Sequence, residues 1–148
     1  KVDDAWQGRK ADLPLQTPYD LLKLASIVEK ETGYSADRSM VAAVFVNRLR
    51  KGMRLQTDPS VIYGMGTAYD GTLRKEDLTR DTPYNTYTRA GLPPTPISLP
   101  SEASLEAAAH PADSSALYFV SRGDGTSEFS DSLHQHNQAV NKYIRGKN

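Results

Sequence analysis

Apolar residues recur every three to four positions over two stretches in the first third of the chain. The first stretch follows Thr17 and Pro18, which suit a helix N-cap and a first helical position, and it stops at Gly33. The second stops at Gly52 and carries its large apolar residues on one face, namely Val41, Val44, Phe45 and Leu49. The pattern therefore predicts two helices, which can pair as a helical hairpin.

The middle of the chain is less regular than its first third. Asp58 and Pro59 predict the start of a brief helix with Asp58 as its N-cap, and residues 73–78 predict a short exposed helix. From Thr82 to Pro100 the chain carries five prolines. Irregular segments of this length are uncommon inside compact domains and often have a function.

The last third contains alternating patterns that are typical of strands. A short helix stops at Pro111, and residues 116–122 and 127–132 then predict a β-hairpin around the turn GDGT. A closing helix is predicted over residues 133–144. Residues 1–16 predict a loose or short helical lead-in. The predicted fold class is α+β, a helix-rich single domain with a C-terminal β-hairpin and a closing helix.

Composition narrows the classes of function. The 148 residues fit one domain, and 18 Lys and Arg balance 18 Asp and Glu, which argues against a nucleic-acid partner. The absence of cysteine excludes disulfides and thiolate chemistry. No apolar run approaches the roughly 20 residues of a membrane span.

Two carboxylates lie within the first predicted helix, in the stretch LASIVEKETG. Glu29 and Glu31 border the apolar arc of the helix, one at each edge, so the helical wheel does not choose between them. One interpretation is a salt-bridged glutamate at the margin of the core, which composition alone favours. The other is a general acid, because apolar surroundings can raise the pKa of a glutamate from about 4.3 to about 6.

Two further polar segments are candidate binding residues. LQTD at 55–58 offers an amide, a hydroxyl and a carboxylate, and YNTY at 84–87 places two phenols around an amide and a hydroxyl. Such sets bind sugars, although an aromatic loop that packs on its own domain is an equal alternative. His134 and His136 are two residues apart on a predicted helix, whereas a shared metal ion needs a spacing of four. We therefore predict no metal site.

Several segments together resemble one known family in their order and spacing. They are LASIVEKETG, VNRLRKGMRLQTDPSVIYGMG, TPYNTYTRAGLPP, AAAHPA, LYFVSRGDG and HNQAVNKYI. They look like the catalytic domain of the YceG-like endolytic murein transglycosylases, the MltG family, from about residue 5 to residue 145. The resemblance implies that residues 17–148 form a catalytic transglycosylase domain and that residues 1–16 lead in from an N-terminal region outside this chain.

The resemblance also implies a reaction. Such enzymes cleave peptidoglycan glycan strands between N-acetylmuramic acid and N-acetylglucosamine and leave a 1,6-anhydro end. Because the sugar supplies its own nucleophile, one glutamate can act first as acid and then as base, and no metal or organic cofactor is needed. The resemblance places the acid at Glu29, with Glu31 as its neighbour and electrostatic tuner. A structure in which Glu31 lines a cleft and Glu29 does not would contradict this assignment.

The remaining site residues are carried over by motif. The resemblance places them at the substrate cleft: Glu31, Gln56, Thr57, Asp58, Tyr84, Asn85, Thr86 and Tyr87. The sequence departs from its relatives at Thr95, Leu99 and Ser101, where glycine or asparagine is frequent.

The resemblance further implies a partner and a location. The partner is peptidoglycan, with cell-wall synthases as candidate protein partners and no nucleic acid. The location is the periplasmic face of the bacterial inner membrane, where a membrane helix outside this chain anchors the parent protein. The alternatives are a lysozyme-like hydrolase with Asp58 or Glu31 as second carboxylate, and a non-catalytic peptidoglycan-binding module.

Overall fold

The computed structural model describes residues 1–146. Its regular elements are α1 (Val2–Gln7), α2 (Pro18–Glu31), α3 (Arg38–Lys51), α4 (Asp58–Met65), α5 (Lys75–Thr79), α6 (Glu102–Ala109), β1 (Tyr118–Ser121), β2 (Ser127–Ser130) and α7 (Leu133–Tyr143). Short 3₁₀ turns cover Ser35–Asp37 and Gly66–Ala68. The predicted α+β class, with a hairpin and a closing helix after a helical first half, is confirmed.

The core lies where α2, α3 and α6 pack together. Helices α2 and α3 bury the faces that the apolar pattern predicts, and their fully buried side chains include Leu21, Leu24, Ile27, Val28, Val41 and Phe45. Burying each of these large side chains contributes about 1.5–3 kcal/mol. The alanines of α6 at 107–109 are also buried and let this helix approach α2 closely. The hydrophobic pattern therefore accounts for the packing of the first two long helices.

The ends of α2 and α3 follow the predicted signals. The Thr17 side chain accepts a hydrogen bond from the Asp20 amide at 3.1 Å, and Gly52 ends α3 with a left-handed φ of 71°. The prediction of Asp58 as an N-cap is wrong, because Thr57 has the extended N-cap backbone and Asp58 is the first residue of α4. The Asp58 carboxylate makes a tertiary contact instead.

The proline-rich segment from Thr82 to Pro100 has no regular structure and is held against α2. The Ile97 amide donates to the Ser26 Oγ at 3.0 Å, and the Ser98 hydroxyl donates to the Ser26 carbonyl at 3.0 Å. Ser26 is fully buried, and the bond from the Ile97 amide is shielded from water. This irregular segment is therefore fixed by tertiary hydrogen bonds.

The hairpin and α7 cover the other side of α3. Phe119 of β1 lies opposite Phe129 of β2, and its ring meets Phe45 of α3 edge to face with centroids 6.0 Å apart. Helix α7 packs on both strands. The hairpin is thereby attached to the core through its aromatic residues.

Residues 1–16 contain α1, which packs on α2 and α6. Trp6 and Leu13 pack against the core, and the Lys10 amide donates to the Ala109 carbonyl at 2.9 Å. The division of the chain at residue 16 stays a prediction.

Candidate active site

A cleft of about 240 Å³ opens between the C-terminal end of α2, one face of α3 and the hairpin. The described residues that line it are Glu31, Val44, Phe45, Arg48, Leu55, Gln56, Tyr87, Tyr118, Phe119 and His136. Among these lining residues, Glu31 alone carries a carboxylate. The cleft therefore combines an apolar floor with one acid.

Glu31 is the last residue of α2 and is largely removed from water. Burial, and secondarily the charge of Asp58, raise the pKa of its carboxyl from 4.5 to about 7. At neutral pH a large share of Glu31 side chains is therefore protonated. A carboxyl group in this state can donate a proton and, once ionised, can accept one.

Asp58 and Tyr87 form a pair beside Glu31. The Tyr87 hydroxyl donates to the Asp58 Oδ1 at 2.5 Å. Burial, followed by the contact with Asp58, raises the pKa of the Tyr87 phenol, so the phenol stays protonated as a donor. The pair thus places a negative charge near Glu31, and this charge opposes ionisation of the Glu31 carboxyl.

Gln56 has an unusual backbone, with a φ of 55° that side-chain-bearing residues rarely adopt. Its amide donates to the Thr86 carbonyl at 3.2 Å, and its side-chain oxygen accepts from the Arg48 Nη1 at 3.3 Å. Backbone strain of this kind persists where surrounding contacts hold it, and it concentrates at functional sites. These contacts keep the Gln56 side chain at the wall of the cleft.

Arg48 is a site residue that the sequence analysis missed. Its guanidinium is buried and donates to the Leu117 carbonyl at 2.7 Å and to the Arg54 carbonyl at 2.8 Å. It also lies 5.0 Å from the centroid of the Tyr118 ring. Arg48 thereby joins α3 to the LQTD segment and to the hairpin. Arg48 lies one turn after Val44 on the apolar face of α3, and a charged residue on a predicted buried face could have identified it as a candidate site residue.

Thr57, Asn85 and Thr86 are buried, do not line the cleft, and hold the two polar motifs in place. The Thr57 amide donates to the Thr86 Oγ1 at 2.8 Å. The Asn85 Nδ2 donates to the carbonyls of Leu78 and Arg80 at 3.0 and 2.7 Å. The first bond fixes LQTD against YNTY, and the Asn85 bonds fix YNTY to the end of α5. Together they set the positions of Gln56, Asp58 and Tyr87, the neighbours of these residues in the sequence.

Tyr84 lies outside the lining of the cleft. Its ring packs against Tyr63 with centroids 5.0 Å apart, and its hydroxyl forms a 2.8 Å hydrogen bond with the Thr95 hydroxyl. Thr95 is one of the positions where the sequence departs from its relatives. In this chain it therefore joins the second half of the proline-rich segment to Tyr84 in its first half.

Glu29 occupies a different environment from Glu31. Its Oε1 accepts hydrogen bonds from the Ser101 amide at 2.8 Å and from the Ser104 hydroxyl at 2.9 Å. The Ser101 amide bond and then the serine hydroxyls lower the pKa of the Glu29 carboxyl. This carboxylate is ionised, partly exposed and tied to the start of α6, and it does not line the cleft.

His136 enters the cleft from α7 and stacks on Tyr118 with centroids 5.0 Å apart. Burial, and then the charge of Arg48, lower the pKa of its imidazole, so the ring is neutral at neutral pH. In the sequence, His136 begins HNQAVNKYI, one of the segments that carry the family resemblance.

Two negative findings apply to residues 1–146. Within that range no group of three histidine or acidic side chains is placed to hold a metal ion. None of the helices there combines the length and the apolar character that a membrane crossing requires.

Comparisons with known proteins agree with the motifs. The chain is 47% identical over 130 residues to an endolytic murein transglycosylase of Bacillus subtilis, which covers 88% of this chain and 36% of the relative. It is 34% identical over 136 residues to an endolytic murein transglycosylase of Streptococcus pneumoniae. That match covers 88% of this chain and 25% of the relative. The chain thus spans only about a quarter to a third of the length of these relatives.

A solved structure and a family model give the same result. The crystal structure of a yceG-like protein from Listeria monocytogenes superimposes with a TM-score of 0.75 at 45% identity, over 83% of this chain and 39% of that chain. The sequence model of the YceG-like family matches residues 1–142. The chain therefore belongs to the YceG-like family.

Proposed function

We propose that this chain is the catalytic part of a lytic transglycosylase that cleaves glycan strands of peptidoglycan, with Glu31 as its acid. The printed names of the relatives are those of murein transglycosylases. The observation that carries the assignment of the acid is the position of Glu31 in the cleft with a pKa of about 7. The proposal replaces Glu29, the acid expected from the sequence, with its neighbour two residues on.

The contrast between the two glutamates supports this exchange. A general acid must be protonated at working pH and must reach the leaving oxygen. Glu31 meets both conditions, because it is desolvated and faces the cleft. Glu29 meets neither, because hydrogen bonds from Ser101 and Ser104 stabilise its ionised form and direct it towards α6. Glu29 is a structural carboxylate in this proposal.

The lytic reaction needs one carboxyl group and no water. Glu31 donates its proton to the glycosidic O4 as the bond between C1 and O4 breaks. The C6 hydroxyl of the same N-acetylmuramic acid then forms the C1–O6 bond and gives its proton back to Glu31. Atoms and protons balance, and the carboxyl returns to its starting state. The apolar wall formed by Val44, Phe45 and Phe119 supports this route because it limits the entry of competing water.

The other predicted site residues divide into two roles in this proposal. Gln56 and Tyr87 line the cleft and are placed to contact glycan, and Asp58 holds Tyr87 and keeps the pKa of Glu31 raised. The buried residues Thr57, Asn85 and Thr86 support these side chains, and Tyr84 supports the proline-rich segment. The alternative that the geometry favours is a hydrolase with Asp58 as its second carboxylate, because Asp58 lies close enough to Glu31 for its charge to raise the pKa of the Glu31 carboxyl.

We also propose that the parent protein works on the periplasmic side of the inner membrane, where peptidoglycan lies. A membrane anchor of the parent protein is part of this proposal, and the greater length of the relatives is compatible with such a segment. Cell-wall synthases are the protein partners that this proposal expects.

The test is mass spectrometry of the products released from purified peptidoglycan by the wild type, Glu31→Gln and Glu29→Gln. We expect 1,6-anhydro ends from the wild type, a loss of about 100-fold or more in Glu31→Gln, and continued activity in Glu29→Gln. The two variants are matched, because both replace a glutamate near the end of α2 by its amide.

Other outcomes identify the alternatives. Products heavier by one water indicate a hydrolase, and Asp58→Asn is then the next variant to assay. Loss of activity in Glu29→Gln with full activity in Glu31→Gln returns the acid to Glu29. Binding of strands without any product, in the wild type as in both variants, indicates a non-catalytic module.

A further inference from the structure

A second groove lies beside the cleft on the protein surface. It has a volume of about 520 Å³, and Arg48, Gln56 and Tyr118 line both cavities. Its remaining lining residues are Gly52, Met53, Arg54, Ala90 and Leu133. A glycan strand is much longer than the cleft around Glu31, so a bound strand or its branches must extend past the cleft. The groove shares part of its lining with the cleft and is therefore available to that part of the substrate.

The side chains that line this groove give it a positive charge. Two arginines and no carboxylate line it. The guanidinium of Arg48 is occupied by carbonyl oxygens, whereas Arg54 is exposed and forms no ion pair with any carboxylate of residues 1–146. The surrounding stretch 38–57 carries four arginines and one lysine and no Asp or Glu. Arg54 is therefore a cation with capacity for an anionic ligand.

The rest of the groove is apolar and open. Met53 and Ala90 line it, and Leu133 at the start of α7 is 55% exposed. Exposed apolar side chains beside a cation suit a ligand that carries small alkyl groups next to a carboxylate. In a peptidoglycan strand this description fits the lactyl-peptide branch of N-acetylmuramic acid, which has methyl groups and carboxylates, and does not fit N-acetylglucosamine.

We infer that this groove binds the lactyl-peptide branch of the substrate, with Arg54 paired to one of its carboxylates. The inference rests on the proposed function and adds a determinant of specificity to it. The carboxylate belongs either to the peptide or, where the peptide is absent, to the lactyl group. In both cases Arg54 distinguishes muramic acid residues from uncharged sugars, and it sets the register of the strand relative to Glu31.

The test measures binding rather than cleavage. Calorimetric titrations in a Glu31→Gln background use three ligands: peptide-bearing strand fragments, fragments stripped of peptides by an amidase, and chitin oligosaccharides without carboxylates. We expect Arg54→Gln to weaken binding of the peptide-bearing fragments by about tenfold, and added salt to reduce this difference. Arg54→Lys keeps part of the affinity, and Arg122→Gln, an exposed arginine in the turn of the hairpin, leaves the affinity unchanged.

The ligands separate the sources of the carboxylate. A loss confined to peptide-bearing fragments assigns the peptide carboxylate alone. A loss with both kinds of fragment shows that Arg54 pairs with the peptide carboxylate in the first and with the free lactyl carboxylate in the second. An equal loss with chitin oligosaccharides, or no loss with any ligand, overturns the inference. The proposed function is judged separately, by the anhydro products of the wild type. If the wild type forms those products and Arg54→Gln binds every ligand as tightly as the unsubstituted protein, the role of the groove is rejected and the proposed function stands.

Discussion

Replacing Glu31 by glutamine is expected to make the protein more stable at neutral pH, and the size of the effect follows from its environment. In the unfolded chain the carboxyl titrates near 4.5, and in the folded protein near 7. The folded state holds the proton more tightly, so the stabilisation is fully present below pH 4.5 and is lost as the pH rises through about 7. At about 1.4 kcal/mol per pKa unit the loss amounts to about 3 kcal/mol.

Glutamine has nearly the shape of a protonated glutamate and does not ionise. The free energy of unfolding of Glu31→Gln, relative to the wild type, should therefore rise by about 3 kcal/mol between pH 4.5 and pH 8. The assay is urea unfolding followed by far-ultraviolet circular dichroism at a series of pH values, with linear extrapolation to water. Comparison with the wild type at each pH cancels the titration of every other group.

Glu29→Gln is the matched control and should change stability in the opposite direction. The pKa of Glu29 is lowered, so its contribution to stability is present above its unfolded pKa and is lost as the pH falls. The amide keeps one acceptor oxygen for Ser101 but loses the charge, which costs about 1 kcal/mol at neutral pH. A Glu31→Gln variant that shows no dependence on pH relative to the wild type, or that loses stability at pH 8, would refute the reasoning that Glu31 is desolvated.

Three further changes test separate parts of the structure. Asp58→Asn removes the charge that disfavours ionisation of Glu31, so the pKa of Glu31 should fall. The decline of kcat/KM at alkaline pH should then begin at a lower pH, and an unchanged pH profile would contradict the effect of Asp58 on Glu31. Gln56→Gly relieves a left-handed backbone and should be more stable to urea than Gln56→Ala by about 1 kcal/mol, whereas equal stability would show that the backbone is unstrained. Phe45→Ala should lower the free energy of unfolding by about 3–5 kcal/mol in thermal or urea denaturation. The exposed Leu99→Ala should change it by less than about 0.5 kcal/mol, and similar effects of the two would place the core elsewhere.

The parts of the fold that the sequence predicted are those with local signals. Helix α2 has a threonine cap, a proline at its start and an apolar period, and α3 ends at a glycine with a left-handed backbone. The hairpin was likewise marked by β-branched and aromatic residues around a glycine turn. Asp58 misled the prediction because the same residue type serves as a helix cap and as an acceptor for a distant phenol. Its contact with Tyr87 spans 29 positions of sequence, beyond any local rule.

The sequence alone could not choose between the two glutamates, for a similar reason. A helical wheel places both at edges of the apolar arc, and the residues that distinguish them come from elsewhere in the chain. The partners of Glu29 lie 72 and 75 positions later, at Ser101 and Ser104. Residues such as Phe119 and His136, which close the cleft around Glu31, lie still further along the chain. Only the packed structure brings these environments together.

The position of Glu31 as the final residue of α2 has an electrostatic consequence of its own. Aligned peptide dipoles leave a partial negative charge at the C-terminal end of a helix, and this charge disfavours a second negative charge there. Glu29, although it belongs to the same helix, has its carboxylate at the N-terminal end of α6, where the partial charge is positive. Two identical side chains two residues apart thus meet helix ends of opposite sign. The backbone itself favours a protonated carboxyl at one and an ionised carboxylate at the other, before any side chain is considered.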